Sequence, residues 1–285
     1  MFGKRSDGIR LKTIDPIFKL IPHIMKDRSD SQVSYLYPVR CDSLDSFVAA
    51  KRAEGISYNY MHLVIAAVVR LIALRPQLNR FVMNGRHYKR KIIYVSLAVK
   101  KTLKDEGDET TVKVGFTGLE SISEIKAKLD EVILANTTAK AINDTDKTAK
   151  ILTRVPNCMI KFAVWFLKCL DKHGMLPKKI IEVSPFHTTL FITNLKSIKI
   201  DFVYHHLYNF GTTGIFVSMG KEKMQAFVEE DGSIKAAKVM NLGVVTDERF
   251  CDGLYYANSL RLLKRIFENP AVLESKIEKL TPDID

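Results

Sequence analysis

The clearest pattern in the chain is the spacing of apolar residues between Ser57 and Pro76. Apolar side chains recur there every three or four positions, at Met61, Val64, Ile65, Val68 and Ile72. This spacing predicts a helix that lies on a sheet, with Ser57 capping its first turn and Pro76 ending it.

Alternating and β-branched segments predict the strands of that sheet. They are Val33–Arg40, Ile92–Val99, Thr111–Phe116, Thr188–Thr193, Gly214–Met219, Met224–Glu229 and Ile234–Val245. The second and third should form a hairpin or lie side by side. Asp231 and Gly232 predict a tight hairpin turn between the last two strands.

Further helices are expected between and after these strands along the chain. Leu44–Ala53 reads as a short helix ended by Gly55, and Ser121 with Glu124 forms a capping box before a second apolar face. A helix is also predicted around Met159–Leu170, and a last one over Leu254–Phe267, ended by Asn269 and Pro270.

The segment Asn136–Pro185 allows two interpretations. It is rich in lysine and contains Trp165, the only tryptophan. An amphipathic helix bound at a membrane surface uses such residues. A helical pair that covers one end of the sheet, or that contacts a partner subunit, fits the same periodicity and is favoured.

Composition adds limits to this picture. The 285 residues are 46% hydrophobic and carry a formal net charge of +12, so the chain can bury a large core. The apolar segments are too short or too charged to span a bilayer. The cysteines Cys41, Cys158, Cys169 and Cys251 show no zinc-ligand spacing, so neither a metal site nor a disulfide framework is expected, and a reducing cytoplasm suits them.

The densest positive charge falls at Arg86, His87, Lys89, Arg90 and Lys91, just before an apolar strand. No recognition helix or zinc finger accompanies it, so a specific nucleic-acid partner is not expected. A solvated basic face is the favoured interpretation. A phosphate-bearing coenzyme would also be attracted to a positive surface.

The segment Asp247-Glu248-Arg249-Phe250-Cys251-Asp252-Gly253 resembles a known signature. It is similar to the Asp-His-Arg-x-x-Asp-Gly motif of the chloramphenicol acetyltransferase and dihydrolipoamide acyltransferase superfamily, with four of five fixed positions matched. As in that family, the motif follows a predicted strand and opens a predicted helix. The segment LFITNL resembles the family's T-I-S-N-L strand, and Thr193 precedes Glu248 by 55 residues, close to the family spacing.

The resemblance implies a two-layer α/β fold, with a mixed sheet packed by helices, that forms a homotrimer with active sites between subunits. It also implies transfer of an acyl group from acyl-coenzyme A, as cosubstrate and not as a permanently bound cofactor, to a small acceptor. Thr193 would donate a hydrogen bond to the oxyanion, or be an ordinary strand residue. Asp252 would form a structural ion pair, or cap the last helix, beside Arg249 and Gly253.

The sequence departs from the family at one position. Glu248 stands where the family has its catalytic His. With reference pKa values, proton transfer from a thiol to Glu is uphill by about 5.7 kcal/mol, against about 2.7 kcal/mol for His. The departure leaves two hypotheses open: an enzyme with Glu248 as an altered base, or a catalytically inactive homologue that serves in binding or assembly.

Other residues could take the place of the missing His. His205 and His206 precede a strand that, in the resemblance, runs near the active-site channel. They are candidates for a substitute base, although loop histidines are their ordinary interpretation. Cys251 lies inside the motif but is expected to be a small core residue and not a nucleophile.

The domain organisation follows from these assignments. Residues 1–32 form an amino-terminal extension with an irregular start, residues 33–270 a single acyltransferase-like domain expanded at 136–185, and residues 271–285 a tail. No lipoyl segment is recognised before Val33, so a free-standing core is expected. The expected partners are acyl-coenzyme A, an unknown small acceptor and further copies of the chain. A membrane surface is not expected to be a partner.

Overall fold

The computed structural model describes residues 4–100, 109–137, 155–229 and 231–284. The helices are α1 Pro16–Ile24, α2 Asp42–Ala53, α3 Tyr60–Leu74, α4 Ile122–Thr137, α5 Asn157–Lys172, α6 Lys178–Val183 and α7 Gly253–Glu268. The elements predicted from residue 33 onward are present. Most of the connection between the predicted strands Ile92–Val99 and Thr111–Phe116, and residues 138–154 of the segment Asn136–Pro185, lie outside the described residues.

Two sheets organise the chain. The strands are β1 Gly8–Arg10, β2 Gln32–Arg40, β3 Arg80–Met83, β4 Arg86–Arg90, β5 Ile93–Lys100, β6 Glu109–Phe116, β7 Leu190–Asn194, β8 Ile215–Met219, β9 Lys223–Val228 and β10 Ile234–Asp247. The large sheet has the order β2-β10-β8-β7-β5-β6, with β9 paired to β10, and the small sheet has the order β1-β4-β3. The large sheet is mixed, because β7 runs parallel to both β5 and β8 while the other pairs are antiparallel.

One face of the large sheet, called here the helix face, carries the main core. Helix α3 lies at its centre and is buried on nearly all sides, from Tyr60 to Ala73 except Met61. Helices α2, α4 and α7 contribute Leu44, Leu129 and Leu263 to the same core. This arrangement confirms the two-layer α/β class with a mixed sheet packed by helices.

The cap of α3 differs from the sequence prediction. The side chain of Asn59, not Ser57, accepts a hydrogen bond from the backbone N–H of His62 at 2.9 Å. In return, the backbone N–H of Asn59 donates to Nδ1 of His62 at 3.3 Å, which completes a capping box. Asn and Ser are both good caps, so the sequence alone left the register of this first turn ambiguous.

The opposite face of the large sheet, called here the loop face, carries a much smaller core. Phe191, Phe216 and Val245 pack there against Leu207, which belongs to the long connection between β7 and β8. That connection crosses the sheet closely at Gly243. A Cβ atom at residue 243 would collide with the carbonyl oxygen of Val203 and lie 2.7 Å from Ser218 Oγ. Glycine at this position therefore allows the connection to lie on the sheet.

The basic cluster before β5 is only partly solvated, which corrects the sequence interpretation: Lys91 is exposed and Arg86 and Lys89 are half-buried, but the other two residues are not accessible. Residues 86–90 form β4 of the small sheet, and both His87 and Arg90 are buried. Arg90 donates hydrogen bonds to the carbonyl oxygens of Thr188 and Thr212 at 2.8 and 2.5 Å. The charge pattern did not reveal these partners because they lie about a hundred residues away.

Both ends of the chain reach the small sheet, which was not predicted. Near the start, β1 pairs with β4, in a region expected to be irregular. Near the end, Arg80 of β3 forms an ion pair with Asp283, with 2.8 Å between Arg80 Nε and Asp283 Oδ2. The small sheet therefore joins segments from the beginning, the middle and the end of the sequence.

Candidate active site

The motif at residues 247–253 forms the corner between β10 and α7. The backbone N–H of Asp247 bonds to the carbonyl oxygen of Gly214 at 2.9 Å, and the Tyr256 hydroxyl bonds to the carbonyl oxygen of Asp247 at 3.0 Å. The corner is thus fixed both by the neighbouring strand and by the helix that follows it.

A buried ion pair between Asp247 and Arg249 forms the interior of this corner. Arg249 Nε and Nη2 donate to the two oxygens of Asp247 at 2.8 and 2.7 Å, and the side chains are only 1% and 3% exposed. Ser31 Oγ donates to Asp247 at 3.1 Å, and the Arg249 side chain also bonds to the carbonyl oxygen of Lys26 at 3.0 Å. Such a satisfied bidentate pair sets the geometry of the turn.

Arg249 therefore has a structural position, as the partner of Asp247. Within the described residues, Asp252 forms no ion pair. Its carboxylate accepts the backbone N–H of Tyr255 at 2.7 Å and caps α7, which begins at Gly253. The capping alternative for Asp252 therefore describes the structure, and Asp247 is the ion-pair residue.

Glu248 lies between these buried neighbours but is itself exposed. Its backbone N–H donates to the carbonyl oxygen of Ser31 at 3.0 Å, so the main chain at this position is fixed. Because Asp247 and Arg249 point inward, the residue between them must point outward. The position that resembles the family's catalytic His therefore presents its side chain to whatever lies outside the single chain.

Thr193 lies at a different height along the strands of the large sheet than the motif corner. It is half-buried at the carboxyl end of β7 and lies on the loop face, on the same side as Phe191. It pairs in register with Ser218 of β8, which in turn pairs with Gly243 of β10. Glu248 follows Gly243 by five positions, which corresponds to about 16 Å along a strand. One chain does not bring Thr193 and Glu248 together.

His205 and His206 lie on the loop face between these two levels. On one side of them, the backbone N–H of Val203 donates to Ser218 Oγ at 3.1 Å. On the other side, the backbone N–H of Leu207 donates to Oε1 of Gln32 at 3.2 Å, and Gln32 pairs in register with Asp247. The pair therefore spans the region between the level of Thr193 and the motif corner.

The imidazole of His205 is held by aromatic packing. It stacks on Phe216, with 4.1 Å between ring centroids and 5° between ring planes, and it stacks on His206 at 4.8 Å. His205 is half-buried, whereas His206 is exposed. Both rings could take part in proton transfer, because an imidazole can accept a proton on one nitrogen and donate from the other.

Cys251 is buried in the core beneath the corner, at 1% exposure. Burial raises the pKa of its thiol to about 12. The reactive form of cysteine is the thiolate, so this residue is unsuited to be a nucleophile. Its position agrees with the core role expected from the sequence.

A second buried polar network was missed by the sequence analysis. Arg5 forms a bidentate ion pair with Asp7 at 3.0 and 3.2 Å and also contacts Asp171 Oδ1 at 2.6 Å. Asp171 Oδ2 shares a hydrogen bond with His187 Nε2 at 3.1 Å, and His187 Nδ1 lies 2.8 Å from Ser184 Oγ. No local spacing could reveal this network, because Arg5 and Asp171 are 166 positions apart.

In this network the buried carboxylate of Asp171 is stabilised by Arg5 and His187. Burial opposes ionisation of Asp171, but the hydrogen bond from His187 and the charge of Arg5 outweigh it and lower the pKa of the carboxyl. Burial lowers the pKa of His187 in spite of its contact with Asp171, so the ring is neutral near pH 7. The network fastens the end of α5 to the start of the chain and to the segment before β7.

Neither a metal site nor a membrane-spanning helix is found among the described residues. Across the described ranges, no three His, Cys, Asp or Glu residues are grouped as metal ligands. No helix in the described part of the chain is both long and apolar enough to cross a membrane.

Comparison with known proteins supports the resemblance noted in the sequence. Residues 186–274 match the family model of the 2-oxoacid dehydrogenases acyltransferase catalytic domain. The matched range contains Thr193, the two histidines and the whole motif. No curated protein matches the chain in sequence.

Three solved structures of similar architecture are distant in sequence. The cubic core of a pyruvate dehydrogenase multienzyme complex is 13% identical, with a TM-score of 0.57 over 90% of this chain and 88% of that one. The dihydrolipoamide acetyltransferase of Azotobacter vinelandii is 13% identical, with a TM-score of 0.56 over 92% and 93%. A chloramphenicol acetyltransferase is 12% identical, with a TM-score of 0.56 over 91% and 99%. At this identity the likeness shows the fold, and the fold is that of these acyltransferase cores.

Proposed function

We propose that this protein is an acyltransferase that moves an acyl group from acyl-coenzyme A to a small thiol, hydroxyl or amine acceptor. The observation that carries the proposal is the corner at residues 247–253, which follows the acyltransferase signature in sequence and is held by the Asp247–Arg249 ion pair. The family match over residues 186–274 supports the same reaction class. The net charge of +12 favours an anionic, phosphate-bearing cosubstrate.

The proposed site lies between two copies of the chain in a homotrimer. Thr193 and Glu248 are separated by about 16 Å along the sheet of one copy, too far to act on the same thioester. Glu248 nevertheless faces outward, and Thr193 lies on the thinly covered loop face. A site that uses both must take Thr193 from one copy and Glu248 from its neighbour.

In the proposed reaction, a base removes the proton from the acceptor as the acceptor attacks the thioester carbonyl carbon. The Thr193 hydroxyl would donate a hydrogen bond to the oxyanion that forms, and coenzyme A would leave as the thiol after taking up the proton. His205 or His206 is the preferred base. A protonated imidazole stabilises the developing negative charge, whereas the carboxylate of Glu248 would repel it.

A second candidate function rests on Glu248 itself. Glu248 places an exposed carboxylate where the family has the imidazole that transfers the proton. If neither histidine substitutes for it, the chain would be an inactive trimeric homologue that binds or assembles with other proteins. We place either form in the cytoplasm, because its free cysteines suit a reducing compartment.

Release of free thiol from acetyl-coenzyme A tests these alternatives, with thiols, alcohols and amines as acceptors. The acyltransferase proposal predicts turnover that falls by at least about 100-fold in His205→Asn or His206→Asn, whichever residue is the base. If Glu248 is the base, Glu248→Gln shows that loss instead. Glu278→Gln, which removes an exposed carboxylate from the tail, is the matched control and should leave turnover unchanged.

The remaining outcomes are equally distinct. An inert wild type in which Glu248→His gains turnover would establish the inactive homologue. For the oxyanion role, Thr193→Val should lower turnover while Thr193→Ser retains it. A stable monomer in light scattering would overturn the proposed site between subunits.

A further inference from the structure

Helix α5 has a composition that its surroundings do not explain. Its sequence NCMIKFAVWFLKCLDK is dominated by apolar and aromatic residues. All of its residues are described, and among them Asp171 alone is buried. An apolar helix is ordinarily buried along its apolar stripe. Here the buried residue is an acid, and much of the apolar surface faces outward.

The exposed apolar side chains form a continuous strip. Met159, Phe162 and Phe166 follow helical spacing, and Trp165 lies beside Phe162 with 5.7 Å between ring centroids. These four side chains are 54%, 64%, 47% and 60% exposed, in the order Met159, Phe162, Phe166 and Trp165. Together they define the aromatic strip of α5.

Positive charge runs along one edge of this strip. Lys161, Lys168 and Lys172 are exposed and fall on one side of the helix, next to Trp165, because steps of seven and four residues return to the same side. The short helix α6 that follows adds Lys178 and Lys179, both exposed. The only acid in α5 is Asp171, which is buried in its ion pair with Arg5.

The outward orientation of the strip is fixed by the rest of the molecule. Arg5 binds the Asp171 side chain at 2.6 Å and the Asp171 carbonyl oxygen at 2.9 Å. His187 holds the second oxygen of the same carboxylate. With Asp171 held inward, the residues on the other side of the helix must face away from the body.

We propose that the aromatic strip of α5 docks on an anionic membrane surface. The helix would lie parallel to the membrane plane, with Trp165, Phe162 and Phe166 among the lipid headgroups and upper acyl chains and with the lysine row beside the lipid phosphates. The proposal is independent of acyl transfer. It also changes the expectation from sequence, which disfavoured a membrane partner before the exposure of the strip was known.

Charge decides between lipid and a second copy as the occupant. A second copy docked strip against strip would place its own Lys161, Lys168 and Lys172 close to the same lysines of the first copy, and this local repulsion would oppose the contact. The trimer contact proposed above uses the loop face and the motif corner instead. An anionic lipid surface attracts each lysine near it. The length of α5, 16 residues, suits a helix that lies in the interface and does not cross the bilayer.

The single tryptophan makes the proposal directly testable. Purified protein is mixed at low ionic strength with vesicles of phosphatidylcholine alone or of phosphatidylcholine with phosphatidylglycerol. We expect co-sedimentation with the phosphatidylglycerol vesicles, a shift of the Trp165 emission to shorter wavelength, and loss of both signals at high ionic strength. An unchanged emission with no co-sedimentation would overturn the proposal.

Matched variants distinguish vesicle binding through the lysine row of α5 from vesicle binding through the overall positive charge. The triple variant Lys161→Gln, Lys168→Gln and Lys172→Gln should weaken binding by roughly 100-fold. The control Lys235→Gln, Lys264→Gln and Lys279→Gln removes the same charge from other exposed positions and should have little effect. Equal losses in the two triples would reduce the effect to non-specific attraction and overturn the proposal.

The apolar contribution has its own variant. Phe162→Ser with Phe166→Ser leaves the charge unchanged and should abolish the emission shift, because the aromatic anchors are gone. Since both side chains are exposed, the variant should fold as the wild type does, which circular dichroism checks. If Trp165 in lipid-free protein is already shielded from an aqueous quencher, the strip is covered by protein and the proposal fails.

Discussion

The two faces of the large sheet differ in what covers them. On the helix face, α2, α3, α4 and α7 bury a continuous apolar core. On the loop face, among the described residues, the connection between β7 and β8 crosses β8 and β10 and encloses a small cluster around Phe216 and Leu207. The candidate catalytic residues Thr193, His205 and His206 lie on the loop face. The contrast indicates that one face supplies stability and that the other is left available for a site.

The largest change in the free energy of unfolding is expected at the corner between β10 and α7. In Asp247→Ala, Arg249 would remain buried without its partner, and such losses cost about 3–5 kcal/mol. Urea unfolding measures the change. The exposed neighbour substitution Glu248→Ala is the control and should change the free energy of unfolding by less than about 0.5 kcal/mol. A small change in Asp247→Ala would mean that the corner is held by its backbone hydrogen bonds.

A comparison of one residue from each face sharpens the contrast in stability. Leu63 of α3 is fully buried on the helix face, and Leu63→Ala should cost about 2–5 kcal/mol through the cavity it leaves. Ser218→Ala on the loop face removes one hydroxyl bonded to the connection and should cost about 1 kcal/mol. Similar values in urea unfolding would contradict the division between the faces.

The loop face should instead be sensitive in activity. Gly243→Ala would push the connection off the sheet, because the added methyl collides with Val203. We expect a cost of about 1–3 kcal/mol in stability. We also expect a loss of turnover larger than that of Ser218→Ala, since His205 and His206 move with the connection. Unchanged turnover in the acetyl-coenzyme A assay would exclude the histidines from the site.

The smallest effect concerns pH. The pKa of His187 in the folded chain lies below that of an unfolded His, about 6.5, so the unfolded state binds more protons. Stability is therefore full above about pH 6.5 and falls as the pH is lowered, by at most about 1.4 kcal/mol per pH unit for each such group. Burial lowers the pKa values of His62 and His87 in the same direction.

The variant His187→Gln isolates one of these three contributions. Urea unfolding between pH 7 and pH 5 should show a smaller loss of stability on acidification than in the wild type. The acids nearby, Asp7 and Asp171, have lowered pKa values and lose their contribution only at more acidic pH. An identical pH dependence in wild type and variant would mean that His187 does not change its protonation on unfolding.

The sequence predicted most of the elements because their signals are local. The period of α3, the alternation of β10 and the Asp-Gly turn before it each depend on neighbouring residues. One error arose where two nearby residues could serve as the same cap: Asn59 caps α3 in place of Ser57. For Asp252 the sequence left an ion pair and a helix cap open, and the structure shows the cap.

The rest of the candidate site depends on contacts between distant parts of the chain. The burial of Arg90 needs Thr212, and the anchoring of α5 needs Arg5. Neither contact leaves a periodic trace in the sequence. The motif at 247–253 was found because its residues are contiguous, whereas the separation of Thr193 from Glu248 required the strand register.

The small sheet has a consequence for the order in which its contacts form during synthesis. Its strand β4 pairs with β1, while β3 binds Asp283 through Arg80, and Lys89 bonds to the carbonyl oxygen of Ile284. During synthesis, the pairing of β1 with β4 can form once residue 90 is available. The contacts of Arg80 and Lys89 can form only after residues 283 and 284 have been added. Arg80, which is nearly fully enclosed when paired, stays without its partner until then. A nascent chain can therefore form the Arg80–Asp283 ion pair only after residue 283 has been synthesised, 203 positions after Arg80, which makes this contact a late step in folding.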